Sequence, residues 1–378
     1  MSHVTNHADS DFMISDDIVS KTIDFYSSLK FQPANINQYT ILASITLVNH
    51  ISQTSKLVSL ATGVKCLPES RLSFSGDVIH DSHAEILARR GFIRWLLEEV
   101  GRVITASSPS PWIDCEQKWH LRDGVTVHLY VSTLPCGDAS TRILSLLPQD
   151  PEIAALKNRT VSVTTTTGAT RGRENYNLFG VLRTKPGRAD SEPSFSMSCS
   201  DKIARWSILG IQGALLSILF DPIYINEIII GEVEDRYKDI TKEDCQRAFW
   251  KRLNCERVRV DITPPFRLHP PNITFTAIVF PFSRGSIQER LGTSPNSSNE
   301  CLYWIADSKE RFEILINGLR RGVDEKQRLK PKLRPQMTYY EIKMTATSYQ
   351  KTKNILIKDT GPFSAWIVGG RNREEFTL

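Results

Sequence analysis

His83 and Glu85 stand two apart in His83-Ala84-Glu85, and Cys136 follows a proline in Leu134-Pro135-Cys136-Gly137-Asp138. A carboxylate two residues from an imidazole sits beside whatever that imidazole ligates without ligating it, which suits a proton carrier next to a metal-activated water. Zinc accepts imidazole nitrogen and thiolate sulfur, and one neutral imidazole with two thiolates leaves a formally neutral tetrahedral site with one position open. His-x-Glu together with Pro-Cys is the pattern of zinc-dependent hydrolytic deamination of a nucleobase. That pattern expects a second cysteine three residues after the first, yet the residue there is Ala139. Cys199 is the candidate for the third ligand, because it too precedes a helical stretch, Asp201-Lys202-Ile203-Ala204-Arg205-Trp206. Each motif alone is common; the weight lies in their joint placement at helix starts.

Those starts matter, since a helix N-terminus carries partial positive charge and favours thiolate over thiol. His83 opens a strongly apolar helix running to about Val100, and alternating Val125 to Ser132 predicts a strand that feeds the Cys136 turn. Further helices are expected from Asp17, with Ile18, Ile23, Tyr26 and Leu29 on one face, over Ile41 to Val48, over Asp201 to Leu219, and over Thr338 to Lys358. Strands are expected at Lys56 to Thr62, Ile223 to Ile230 and Asn272 to Phe280. Gly101 to Asp123, Thr160 to Ser196 and Gly285 to Glu300 read as loops, and Met1 to Asp16 as a polar, disordered tail. Helices alternating with strands favour an α/β fold with a sheet sandwiched between helices, built as one domain over residues 17–378.

The chain has 378 residues, 40% of them hydrophobic and 24% charged, with a formal net charge of +5. That composition suits a large globular core, and a mild positive excess is compatible with a phosphate-rich partner. Seven widely spaced cysteines, with no charged and apolar leader and no run approaching the roughly 18 apolar residues of a span, predict an intracellular protein of nucleus or cytoplasm, not bound to membrane.

The strings HDSHAEILARR, STLPCGDAS and MSCSDKIARWSILGIQGALLS resemble the catalytic blocks of the RNA-editing adenosine deaminases, and within them the eukaryotic tRNA-specific adenosine deaminase 1 group. The likeness runs from about Ala61 to the C-terminus. It implies a cytidine-deaminase-like three-layer α/β/α fold with a central mixed sheet, elaborated by extra helices. It also implies zinc held by His83, Cys136 and Cys199, Glu85 as proton shuttle, and tRNA as partner. The implied target is the adenosine immediately 3′ of the anticodon in alanine tRNA. No obligatory protein partner is inferred.

The resemblance further implies a buried inositol hexakisphosphate held by Arg89, Arg90, Lys202, Arg205, Tyr339, Lys343, Tyr349, Lys353 and Trp366. The residues support this in their own terms. Arg89 and Arg90 lie on an otherwise apolar helix, Lys202 and Arg205 sit amid Ile203, Ala204, Trp206 and Ile208, and Tyr339, Lys343, Ala346, Tyr349 and Lys353 share one arc at about 100° per residue. A basic face turned inward needs an anion to compensate it. Asp81 and Lys185 match positions that relay between this cage and the zinc site, and Val64 and Lys65 match positions near the target nucleotide. Arg171, Arg173, Arg183, Lys185 and Arg188 form a candidate phosphate-contacting surface.

Only 13 residues, Pro186 to Ser198, separate Lys185 from Cys199, shorter than the loop with which double-stranded RNA editors fill the hole left by a flipped base. A nucleotide in a tRNA loop is already unpaired, so little opening energy is required. Two other readings share the metal chemistry or the fold: a cytidine deaminase acting on nucleoside or RNA, and a catalytically silent RNA-binding homologue. The remote third cysteine and the cage residues argue against the first, and the intact Glu85 and ligand set against the second.

Overall fold

The computed structural model describes residues 7–31, 33–73, 76–146, 169–172, 178–185, 191–254, 262, 264–309, 312–324, 326–336, 347–358 and 361–367. Within them the chain forms α1 (His7–Ser28), β1 (Leu42–Asn49), β2 (Thr54–Thr62), β3 (Val64–Cys66), β4 (Asp81–His83), α2 (Ala84–Ala106), β5 (Ile113–Cys115), β6 (Trp119–Leu121), β7 (Val125–Val131) and α3 (Asp138–Leu146). There follow β8 (Thr170–Arg171), β9 (Arg183–Thr184), α4 (Cys199–Leu209), α5 (Gly213–Leu216), β10 (Glu227–Ile230), α6 (Lys238–Phe249), β11 (Asn272–Phe275), α7 (Arg284–Leu291), β12 (Glu300–Ile305), β13 (Glu313–Ile316), β14 (Leu319–Arg320) and α8 (Thr347–Ile357).

Eight strands make one mixed sheet in the order β11-β10-β7-β1-β2-β12-β13-β14. Strand β10 is parallel to both β11 and β7, whereas β1 is antiparallel to β7 and β2. Alternation sorts the side chains between two faces. Ala43, Ile45 and Leu47 join Val127, Leu129, Val131, Ile228 and Ile230 beneath α2, α4 and α6, while Leu42, Val48, Tyr130 and Ile229 meet Ile18, Val19, Tyr26 and Leu29 of α1. The result is an α/β fold with helices on both faces of the sheet.

Several local expectations are corrected. Ile41 to Val48 is not a helix: Leu42–Asn49 is a strand paired on both edges and buried along its whole length. A strand covered on both faces reads as a continuous apolar run, which periodicity does not separate from a helix. The expected tail shortens, because α1 begins at His7; Ser15 donates to Glu227 at 2.8 Å and Asp16 accepts from Thr276 at 2.7 Å. The helix expected from Asp201 to Leu219 stops at Leu209, since Gly210 has φ +72 and a Cβ there would lie 2.1 Å from Gln212 Oε1 and 2.8 Å from the Ile223 carbonyl. Gly101 to Asp123 contains the last turn of α2 and the β5–β6 pair, and Gly285 to Glu300 contains most of α7, whose N-cap Ser283 accepts from Ser286 N–H. Only Ile287 of that helix is buried, so its polar surface hid it. The strands expected at Ile223 to Ile230 and Asn272 to Phe280 are shorter, Glu227–Ile230 and Asn272–Phe275. Of the helix expected from Thr338 to Lys358, Thr347–Ile357 is seen, and 337–346 lie outside the described residues.

Candidate active site

Three chain segments deliver the donors. His83 ends β4, which pairs with β3 so that His83 faces Val64 and Asp81 faces Cys66, and it then serves as N-cap of α2. Glu85 follows in the first turn of α2, where an acidic side chain complements the helix dipole. Cys136 comes after the carboxyl end of β7, and Cys199 is the first residue of α4, capped by Ser198, whose hydroxyl accepts from Asp201 N–H.

The two cysteine segments are stitched together. Ser200 N–H donates to the Cys136 carbonyl at 2.9 Å, Ser200 Oγ donates to the same oxygen at 2.9 Å, and Ala139 N–H donates to Ser200 Oγ at 3.2 Å. Gly137 permits this approach: with φ +105, a Cβ there would stand 2.2 Å from Ser198 Oγ. Cys199 N–H then points at Cys136 Sγ, 3.3 Å away. His83 hydrogen-bonds the Cys136 sulfur, and the free Cys199 thiol donates to Cys136. An imidazole and two sulfurs from distant parts of the chain therefore converge.

Their protonation follows from the contacts. The bond from Cys199 and the charges of Lys185 and His83 hold the Cys136 thiol well below its ordinary range despite burial. Burial and the neighbouring Cys136 sulfur push Cys199 well above it, against the pull of Lys185 Nζ at 3.2 Å. Burial and Lys185 push His83 down, but Asp81 and the Cys136 sulfur outweigh them and bring it up to about 9. These contacts shift His83 and Cys199 towards their protonated forms and Cys136 towards the thiolate. Among the described residues no group of three His, Cys, Asp or Glu side chains is arranged to hold a metal ion. The chemistry of the donor set nevertheless fits zinc.

Glu85 is 1% exposed, and its Oε2 is buried with no hydrogen-bond partner among the described residues. Burial and then the Cys136 sulfur raise its pKa. Asp81 organises the other side of the cluster. It accepts from His83 Nδ1 at 2.9 Å, Lys185 Nζ at 2.8 Å and Ser196 Oγ at 2.7 Å, and it pairs with Lys202. Burial pushes its carboxyl up, but Lys185, Lys202 and His83 together hold it well below the usual carboxylate range.

His83, Glu85, Cys136 and Lys185 line a cavity of 660 Å³, as do Val64 and Lys65. Lys65 is exposed and donates to Ser297 at 2.8 Å. Sequence reading missed Tyr39, Ile41, Arg71, Glu232, Arg284 and Ser297 on the same cavity. They come from separated segments with no shared motif, so only the fold reveals them. A second cavity, of 380 Å³, is lined by Asp81, Arg89, Arg90, Lys202, Arg205, Tyr349 and Trp366. Arg205 stacks over Trp366 at 5.1 Å and Arg89 over Trp206 at 5.2 Å. Lys353 is half-buried on α8 but does not line this cavity, and Tyr339 and Lys343 lie outside the described residues.

The expected cationic surface is corrected. Arg183 is 1% exposed, donating to the Gly172 and Leu178 carbonyls at 3.2 and 2.9 Å, and Lys185 is 2% exposed against Asp81. Arg171 is half-buried and bonded to the Ser191 carbonyl. These cations were placed inside because buried carbonyls and Asp81 require donors; Arg173 and Arg188 lie outside the described residues.

Residues 59–336 match the adenosine-deaminase (editase) domain. The chain is 34% identical to tRNA-specific adenosine deaminase 1 of Drosophila melanogaster over 315 residues, 80% of this chain and 73% of that one. It is also 34% identical to the protein of the same name in Schizosaccharomyces pombe, over 77% of this chain and 73% of the other. Against the double-stranded RNA-specific editase Adar of Drosophila melanogaster it is 31% identical over 68% of this chain but only 38% of that protein. No helix of the described residues is long and apolar enough to cross a membrane. With the editase domain spanning most of its length, and identity sustained across it, this chain is a deaminase belonging to the adenosine-deaminase (editase) family, in its tRNA-specific adenosine deaminase 1 group.

Proposed function

We propose that the protein converts adenosine to inosine in tRNA, with zinc held by His83, Cys136 and Cys199. The observation that carries this reading is the convergence of those three donors beside a buried carboxyl oxygen, Glu85 Oε2, that has no hydrogen-bond partner among the described residues. Bound zinc supplies the Lewis acidity that makes water a nucleophile near neutral pH. Glu85 takes the proton from the attacking water and returns it to the departing ammonia, and its burial-raised pKa suits both directions of transfer. Lys185, cationic between Asp81 and Cys199, holds the donor cluster electrostatically. Val64 and Lys65 border the cavity that receives the base.

The relatives' names and the wide cavity support tRNA as substrate, and the resemblance assigns the adenosine 3′ of the anticodon in alanine tRNA. A loop base enters at little unpairing cost. Inositol hexakisphosphate is the proposed occupant of the second cavity, where Arg89, Arg90, Lys202 and Arg205 face a lining whose one carboxylate among the described residues is Asp81. The contact chain Lys202–Asp81–Lys185–Cys199 links it to the donor cluster. The test is to incubate purified protein with a set of tRNA transcripts and quantify inosine by mass spectrometry, with Glu85→Ala as control. Inosine from the wild type alone is expected; zinc-loaded wild type that makes none on any tRNA overturns the reading.

A further inference from the structure

Tyr39 lines the catalytic cavity with His83, Glu85 and Cys136, yet it is half-buried and joins none of the apolar clusters formed among the described residues. Its backbone is nonetheless fixed. Tyr39 N–H donates to the Asn296 carbonyl at 3.0 Å, its own carbonyl accepts from Ser298 N–H at 2.8 Å, and the next residue, Thr40, donates to the Phe282 carbonyl at 2.9 Å. Arg284, also on the cavity, sets its guanidinium 5.9 Å from the ring centroid and donates to Ser294 at 3.0 Å.

A second device places Arg284. Glu232 leaves the carboxyl end of β10 with φ +54, a conformation that non-glycine residues rarely adopt, and its carboxylate accepts from Gly285 N–H at 3.3 Å and bonds Ser283. The residues on either side of Arg284 are thereby tied to the end of a central strand. An aromatic ring with a guanidinium against it is a surface on which any nucleobase stacks. Lys65, held at the same edge by Ser297, puts a cation within reach of a connecting phosphate.

We propose that Tyr39, with Arg284 against its ring, is a stacking platform for the nucleotide base next to the reacting adenosine. This rests on the reading of the cavity as an RNA deaminase site. It accounts for a cavity of 660 Å³, more room than one base needs, and for an aromatic residue whose backbone is locked while it stays outside the apolar clusters of the described residues. The base beside the target is held by its face, so the platform contributes to binding and leaves the proton transfers at Glu85 unchanged.

The experiment uses the zinc-loaded full chain and an anticodon stem-loop RNA, with the nucleotide on either side of the target made abasic, one side at a time. Tyr39→Ala, Tyr39→Leu and Arg284→Ala are compared with wild type under steady-state and single-turnover conditions. Tyr39→Ala and Tyr39→Leu are expected to raise KM roughly tenfold, with the saturated single-turnover rate and zinc content unchanged. One abasic position should raise the wild-type KM by a similar factor and leave Tyr39→Leu unaffected, the coupling that direct contact produces. In intact RNA, 2-aminopurine at that position should be quenched on binding wild type and not Tyr39→Leu. Wild type that deaminates the RNA while both Tyr39 variants keep its KM, or while neither abasic position couples to Tyr39, overturns the platform. Wild type that fails on every RNA overturns the substrate reading instead.

Discussion

Two cavities, one lined by Asp81 and the other by its partners His83 and Lys185, handle buried charge in opposite ways. On the catalytic side the chain supplies both signs: Lys185 and His83 lie against Asp81, the sulfurs share a proton, and Glu85 and Glu232 line the wall with Lys65, Arg71 and Arg284. On the other side Arg89, Arg90, Lys202 and Arg205 converge with Asp81 as the one carboxylate among the described lining. The first region is largely compensated from within; the second holds a cationic excess among the described residues, which the proposed polyphosphate would balance. With the proposed polyphosphate in the second cavity, Asp81 would couple its binding to the catalytic side through Lys202, Lys185 and His83.

Substitutions on the two sides separate these dependences. The largest effect is expected from Cys199→Ala, which takes away a sulfur and leaves the second cavity's lining intact: zinc is lost, inosine formation falls to background, and the fold persists. Metal analysis with full occupancy would remove Cys199 from the site. Lys202→Glu attacks the other side, putting an anion where the cavity gathers cations and breaking the contact with Asp81. Lys202 is half-buried and Asp81 keeps Lys185 and His83, so the main cost is the new carboxylate set among Arg89, Arg90 and Arg205 and beside Asp81. Soluble yield should collapse, and any soluble fraction should lack bound phosphorus; a soluble, fully active variant would dismiss the polyphosphate.

Asp81→Asn tests the shared element. It keeps the shape while removing the charge that faces His83, Lys185 and Lys202. Outer partners of metal-bound histidines are worth roughly 10–100-fold in metal affinity or activity. A loss of that size, seen in zinc titration as well as in inosine formation, is expected; unchanged zinc affinity would show the two cavities to be independent.

The two regions also differed in how much the sequence disclosed. The catalytic donors sit in short motifs at helix starts, where residue type and spacing are themselves the chemistry, so His83, Glu85 and Cys136 were legible, and Cys199 by its place before Asp201-Lys202-Ile203. Arg89, Lys202 and Arg205 were legible by contradiction, as cations on helices too apolar to be solvated. Arg183 was misread because a basic residue in a polar segment looks solvated, whereas it is buried holding loop carbonyls. Tyr39 and Ser297 meet through a parallel bridge between distant segments, and β1 looked helical because both its faces are covered. Neither fact has a local signal.

The smallest effect tests how the cysteine helix is started. Ser198 Oγ accepts from Asp201 N–H at 3.2 Å and donates to Asp201 Oδ2 at 2.6 Å. Asp201 in turn receives Arg183 N–H at 2.9 Å and Arg252 at 2.7 Å, so its carboxylate stays anchored without the serine. Ser198→Ala therefore loses one cap, worth about 1 kcal/mol, and Tm should fall by roughly 1–2 °C. Cys199 remains stitched to Cys136 through Ser200 and its own N–H, so zinc content and the single-turnover rate should hold. If Ser198→Ala instead sheds zinc as Cys199→Ala does, the cap itself positions the sulfur, and the catalytic side is less self-sufficient than its paired charges imply.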